Sequence, residues 1–252
     1  MNVLRTLLAT VSFAAMPGLA TAAPAGAPVR NIVLVHGAFA DGSGWRAVAD
    51  LLTKDGYNVS VVQEPLTGVE NDVIATNRIL DRQNGPAVLV GHSYGGVVIT
   101  AAGNHPNVAS LVYVAAYEPD EGQTIASLIK DRPSKGKSIG PTADGYLLID
   151  PARFPADFAA DVPLAEAKFM ALAQVPWSAK SVTTPVPNPA WKSKPSYAVV
   201  ATEDRTINPD LERAMYNHAN AKVTEIKGSH AVFISQPRAV ANVIEQAANE
   251  GH

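Results

Sequence analysis

Six short runs of apolar, mostly β-branched residues constrain this chain more than any other feature. They are NIVLVH (31–36), YNVSVV (57–62), AVLVGH (87–92), VASLVYVAA (108–116), SYAVVAT (196–202) and AKVTEI (221–226). Several are apolar on both faces, so each must be covered from above and below, which is the situation of a strand inside a parallel sheet. Between the runs the apolar spacing lengthens to that of helices: 45–54 before Gly56, 69–82 before Gly85 and Pro86, 94–104 before Pro106, then 211–220 and 237–248. Strand and helix in alternation predict an α/β fold, a mostly parallel sheet with helices on both faces. A chain of 252 residues suits one such domain. With 17% charged residues and a net charge of -3, it offers no basic surface for nucleic acid.

The two ends of the pattern carry further expectations. Residues 1–22 read as a secretory leader: Arg5, an apolar stretch from Leu7 to Leu19, then the small residues Ala20, Thr21 and Ala22. Pro17 and Gly18 interrupt the stretch, and it falls short of the roughly 20 residues that span a bilayer, so no membrane anchor is expected. The chain has no cysteine, hence neither disulfides nor a lipid-modified cysteine. A periplasmic or secreted protein with its domain over 23–252 follows. From about 118 to 194 the rhythm breaks into a proline-rich segment with two helix candidates, GQTIASLIK and PLAEAKFMALAQ. Phe154, Phe158, Phe169, Met170 and Trp177 make it too apolar for a solvated linker, and it reads as a helical cap inserted in the domain.

The third run ends in Gly91-His92-Ser93-Tyr94-Gly95, followed by Gly96. A serine between glycines, after a strand and before a helix, fits a sharp turn that lifts its hydroxyl above the sheet edge. The following helix points its N-terminus at whatever the serine attacks, where negative charge develops. Serine is a weak nucleophile and needs a base, and the base needs an orienting acid. Of six histidines, His230 stands in a glycine-containing loop after the last strand, at the sheet edge where Ser93 must also lie. The acid should follow a strand too, and Asp204 in VATEDRTINPD is the first candidate. Glu203 is the next, Asp210 reads as a helix-start residue, and Glu118 or Asp120 after the fourth strand is another route to the acid. Two backbone amides should face the developing oxyanion: that of Tyr94, and that of Ala38, for which Gly37 lets the chain turn inward.

These segments resemble the α/β-hydrolase superfamily, and within it the small-ester hydrolases related to plant methylesterases and hydroxynitrile lyases. The resemblance rests on LVHGAFADGSGW, VGHSYGGVV, VYVAAYEPDEG, VATEDRTI and GSHAVFISQP, spread over nearly all of 31–245. It implies Ser93 as nucleophile, His230 as base, Asp204 as acid, Ala38 and Tyr94 as oxyanion donors, and a cap over the pocket. Hydroxynitrile lyases of the group carry threonine where this chain has Gly37, and lysine where it has Ala231. Haloalkane dehalogenases and epoxide hydrolases of the fold use aspartate in place of Ser93. An esterase reading survives both comparisons.

Phe39, Tyr117 and Trp177 are candidates to line the substrate pocket, or else to pack in the core. No phosphate-binding glycine loop, dinucleotide spacing or metal-ligand cluster appears, so neither cofactor nor metal is expected. The expected function is a serine carboxylesterase for small or medium esters. A lactonase or carbon-carbon bond hydrolase with the same three side chains, and a binding protein without turnover, are the alternatives.

Overall fold

The computed structural model describes residues 29–250; the expected leader lies outside the described residues. All six runs form strands of one parallel sheet: β1 Asn31–Val35, β2 Asn58–Val62, β3 Ala87–His92, β4 Val108–Val114, then, beyond an intervening segment, β8 Ser196–Ala201 and β9 Lys222–Ile226. The spatial order is β2-β1-β3-β4-β8-β9, with parallel pairing throughout. The chain therefore steps outward from β1 to β2 and returns to the other side of β1 as β3. Loops leaving the carboxyl ends of β1 and β3 face each other across that reversal, where open α/β sheets place their ligands.

Alternation along the central strands sorts their side chains into two cores. Val33 and Val35, Leu89, Leu111 and Tyr113, and Ala198 and Val200 join one; Ile32 and Leu34, Val88 and Val90, Val112 and Val114, and Tyr197 and Val199 join the other. Helices α2 (Val69–Leu80), α3 (Gly95–Ala102) and α8 (Pro209–His218) contribute to the first core. Helices α1 (Arg46–Lys54), α9 (Val232–Ser235) and α10 (Pro237–Glu250) contribute to the second. Trp45, wholly buried at the start of α1, packs 4.6 Å from Phe233 and belongs to this second core. Its truncation to alanine should destabilise the fold by about 3–5 kcal/mol. Of the two outer strands, β9 is largely exposed and β2 mostly half-buried.

Between β4 and β8 lie α4 (Ile125–Leu128), β5 (Ile139–Pro141), β6 (Tyr146–Ile149), α5 (Phe154–Asp157), α6 (Leu164–Leu172), β7 (Trp177–Ser178) and α7 (Lys180–Thr183). The two helix candidates appear as α4 and α6, both shorter than their sequence patterns. Beside its helices the segment carries a feature the sequence did not signal: β5, β6 and β7 form a separate antiparallel sheet. Strands of two to four residues, one of them ending in Pro141, are too short to show a period of two. Phe154, Phe158 and Trp177 are buried, whereas Phe169 is 68% exposed. Among the described residues, no helix is long and apolar enough to cross a membrane.

Candidate active site

Ser93 follows β3 with φ of +54°, a left-handed backbone that a side chain rarely adopts and that costs about 1–3 kcal/mol unless its surroundings impose it. They do impose it: the Ser93 amide donates to the Val114 carbonyl at 3.2 Å, and its carbonyl accepts from the amides of Gly96 and Tyr117 at 3.0 and 3.2 Å. The neighbouring glycines answer to crowding. A Cβ on Gly95 would lie 2.6 Å from the His36 carbonyl oxygen, and one on Gly96 would lie 2.2 Å from that of Tyr117. Glycine there lets α3 begin directly beneath the turn.

The three side chains come together in one line. Ser93 Oγ is 2.8 Å from His230 Nε2, and His230 Nδ1 is 2.6 Å from Asp204 Oδ2. A carboxylate only accepts, so Nδ1 carries the ring proton and Nε2 is left to accept from the serine hydroxyl. Asp204 Oδ1 accepts from the amides of Thr206 and Ile207 at 2.6 and 2.9 Å, which fixes the carboxylate plane. His230 is wholly buried, with the ring of His92 at 4.6 Å on one side and that of Phe158 edge-on at 4.8 Å on another. The other acid candidates lie elsewhere. Glu203 reaches Lys227 at 3.7 Å, Asp210 pairs with Arg213, Asp120 pairs with Lys192 and His218, and Glu118 is buried near Ser196.

The loop after β1 presses against the serine: a Cβ on Gly37 would lie 2.8 Å from Ser93 Cβ. His36 governs that loop. Its Nε2 accepts the Glu64 amide proton at 2.9 Å, so its Nδ1 holds the ring proton and donates to the Gly37 carbonyl, also at 2.9 Å. In a trans peptide the next N–H points opposite that carbonyl, which leaves the Ala38 amide on the other side of the loop. Among the described residues, neither the Ala38 nor the Tyr94 amide donates to an acceptor. Burial lowers the His36 pKa and keeps the ring neutral, as its acceptor role requires.

Sequence reasoning missed the buried carboxyls behind this surface. Asp72 accepts from Tyr94 Oη at 2.7 Å and from the Leu66 amide at 2.8 Å, tethering the residue after the serine to α2. Glu212 accepts from the Ala201 amide at 3.2 Å; burial, and then the negative charge of Asp204, raise its pKa. A signal existed: Val69, Asp72, Thr76 and Leu80 are the buried positions of α2, so a charged residue stands within the apolar stripe.

A cleft of about 240 Å³, whose lining includes none of Ser93, His230 and Asp204, is bordered by Phe39 and Asp41, by Phe154, by Glu166, Phe169 and Met170 of α6, and by Phe233. It is linked to the site through Phe233, which packs on His92, and Phe154, which stacks on Phe158. Of the three pocket candidates only Phe39 borders it. Trp177 packs edge-on behind Phe39 at 5.7 Å and against Tyr94 at 5.0 Å. Tyr117 is buried in the core, next to the backbone contact with Ser93. Both are buried, and neither borders the cleft.

Comparisons with known proteins agree on one fold. Residues 32–243 match the model of the family described as alpha/beta hydrolase family. The chain is 28% identical over 256 residues to a pyrethroid hydrolase of Sphingobium wenxiniae, covering 88% of each. It is 35% identical over 113 residues to a carbendazim hydrolyzing esterase of a Nocardioides species, and that match spans 39% of this chain and 47% of the esterase. A crystal structure of a pyrethroid hydrolase from Sphingobium faniae superposes with a TM-score of 0.76 at 25% identity, covering 88% of this chain and 98% of the other.

Proposed function

The chain belongs to the alpha/beta hydrolase family, and from that premise we propose that it is a serine carboxylesterase. The observation that carries the reading is the unbroken hydrogen-bonded line from Ser93 through His230 to Asp204, at 2.8 and 2.6 Å. The esterases and hydrolases among its relatives support the same class.

Ser93 Oγ attacks the ester carbonyl carbon while His230 Nε2 takes its proton, and Asp204 stabilises the imidazolium that results. The carbonyl oxygen becomes an oxyanion and accepts from the amides of Ala38 and Tyr94. As the intermediate collapses, the C–O bond to the alcohol breaks and His230 returns the proton to the leaving oxygen. Water then attacks the acyl-serine as His230 takes its proton, and when the bond from the acyl carbon to Ser93 Oγ breaks His230 passes that proton to Oγ, releasing the acid and restoring Ser93.

The phenylalanine-lined cleft suits a small or medium uncharged ester with an aromatic or branched apolar group. Ser93 is only 6% exposed and His230 is sealed, so side chains between cleft and serine must give way as the ester enters. Replacing Ser93 with alanine tests the reading. Turnover of a p-nitrophenyl ester should fall by about 10³-fold or more with the fold intact; retained turnover overturns it. We also propose export, on the leader-like stretch Leu7–Leu19; a protein retained in the cytoplasm with Met1 in place overturns that.

A further inference from the structure

The stretch from Asp157 to Asp161 runs from the end of α5 toward α6, inside the segment between β4 and β8. It nevertheless bonds to both loops that carry the titratable side chains of the site. On the acid loop, Asp157 Oδ1 accepts from Arg205 Nε at 3.1 Å, and the Asp157 carbonyl accepts from Thr206 Oγ1 at 2.9 Å. Thr206 is the residue whose amide supports the Asp204 carboxylate.

On the base loop, the Phe158 carbonyl accepts from the Ala231 amide at 3.0 Å. Asp161 accepts from the amide of Ser229 at 3.1 Å, from the Ser229 hydroxyl, and from the Ser235 hydroxyl at 2.7 Å. Ser229 and Ala231 flank His230 on either side. The approach depends on a missing side chain, since a Cβ on Gly228 would lie 3.0 Å from Asp161 Oδ2. Burial alone would raise both carboxyls. Hydrogen bonds from Arg205 and Ser138 to Asp157, and from Ser229 and Ser235 to Asp161, outweigh it and keep both as ionised acceptors.

The sheet fixes only the stems of these loops, at Ala201 and Ile226. Just beyond the stems the loops still meet directly, the amides of Thr202 and Glu203 donating to the Ile226 and Gly228 carbonyls at 3.0 Å each. Nearer Asp204 and His230 these five residues bond to both loops. We propose that they are a positioning element of the site, with Asp161 the positioning residue for His230, acting through Ser229. The segment between β4 and β8 is on this account more than a cover: part of it stays seated on the catalytic loops while substrate passes elsewhere. The proposal rests on the serine-esterase reading and deepens it.

The test compares Asp161→Ala, Ser229→Ala and the double variant with the unaltered protein, using a p-nitrophenyl ester. The value of kcat is expressed per active site titrated with a fluorophosphonate, and the thermal midpoint is followed alongside. Because misplacing a reacting group by about 1 Å costs on the order of 10²-fold, Asp161→Ala should lower kcat per site about tenfold or more. KM should stay within about twofold. The double variant should lose less than the product of the two single losses, since both cut one link. A kcat per titrated site within about twofold of the unaltered protein overturns the proposal, as does a loss that vanishes once counted per site. Should Asp161→Ala not fold, Asp161→Asn keeps the shape while turning one acceptor into a donor against Ser229, and the same outcomes decide. Activity surviving in Ser93→Ala would instead sink the esterase reading itself, whereas its loss there with full kcat in the Asp161 variants sinks only the positioning role.

Discussion

The ring of His92 donates from Nε2 to the main-chain carbonyl of His230 at 2.9 Å, so the residue before Ser93 holds the loop that carries His230. The carbonyl can only accept, which fixes the His92 tautomer, and burial lowers the His92 pKa well below the ordinary imidazole value. A neutral ring is what the site tolerates, because a second cation 4.6 Å from His230 would oppose formation of the imidazolium.

His92→Leu should therefore damage stability and turnover together. It strands the buried His230 carbonyl, worth about 1–3 kcal/mol, and frees the loop. His92→Gln, which can still donate, should recover part of both. Urea midpoints and kcat on one ester, measured for the two variants, check this; equal damage in both would remove the hydrogen bond from the explanation.

Gly37→Ala should abolish esterase activity. Its Cβ would meet Ser93 Cβ at 2.8 Å and His92 Nδ1 at 2.9 Å, and neither is the free end of a flexible side chain. Gly140→Ala, at a position with nothing within 4 Å, is the matched control and should leave turnover unchanged. Similar kcat values for the two variants would mean that the loop after β1 is not held against the serine.

What was legible in the sequence is what local pattern encodes. The six runs became six strands within a residue or two at each end, because central strands buried on both faces leave unbroken apolar runs. Ser93, His230 and Asp204 could be brought together because parallel strands deliver all their carboxyl ends to one edge. Asp161 could not be found this way. It meets Ser229 across 68 positions, from a proline-rich stretch with no period, and its partners are ordinary serines. Glu118 was legible as a residue but not in its setting: placed after β4 it reads as a loop acid, and only packing shows it 2% exposed.

That burial has a consequence for pH. Burial raises the Glu118 carboxyl well above 4.5, despite the nearby Ser196 hydroxyl. A group whose folded value is raised contributes stability that is present below about pH 4.5 and lost as pH climbs through the folded value. Glu64 and Glu212 act in the same direction, while His36 and His92, whose values are lowered, lose their contribution as pH falls below about 6.5. Glu118→Gln removes one of the glutamate contributions and leaves the histidines alone. Its urea midpoint should gain on that of the unaltered protein steadily from mildly acidic to alkaline pH. A constant difference across that range would show that Glu118 ionises as an exposed carboxyl does.

Phe169 separates the role of the cleft from the role of the core. It borders the cleft yet is 68% exposed, so its ring contributes little to folding. Phe169→Ala should leave stability within about 0.5 kcal/mol. An aromatic group of the substrate resting in the cleft would lose one ring contact, worth about 0.5–1.5 kcal/mol, so kcat/KM for a naphthyl or benzyl ester should fall about two- to tenfold, mainly through KM. A methyl or ethyl acetate, which has no aromatic group to lose that contact, should be hydrolysed as before. Phe39→Ala makes the contrast: that ring borders the same cleft but is buried against Trp177, and its loss should lower the thermal midpoint as well as raising KM. If Phe169→Ala slows acetate and naphthyl esters by the same factor, the substrate does not lie along α6 and the cleft is not its binding site.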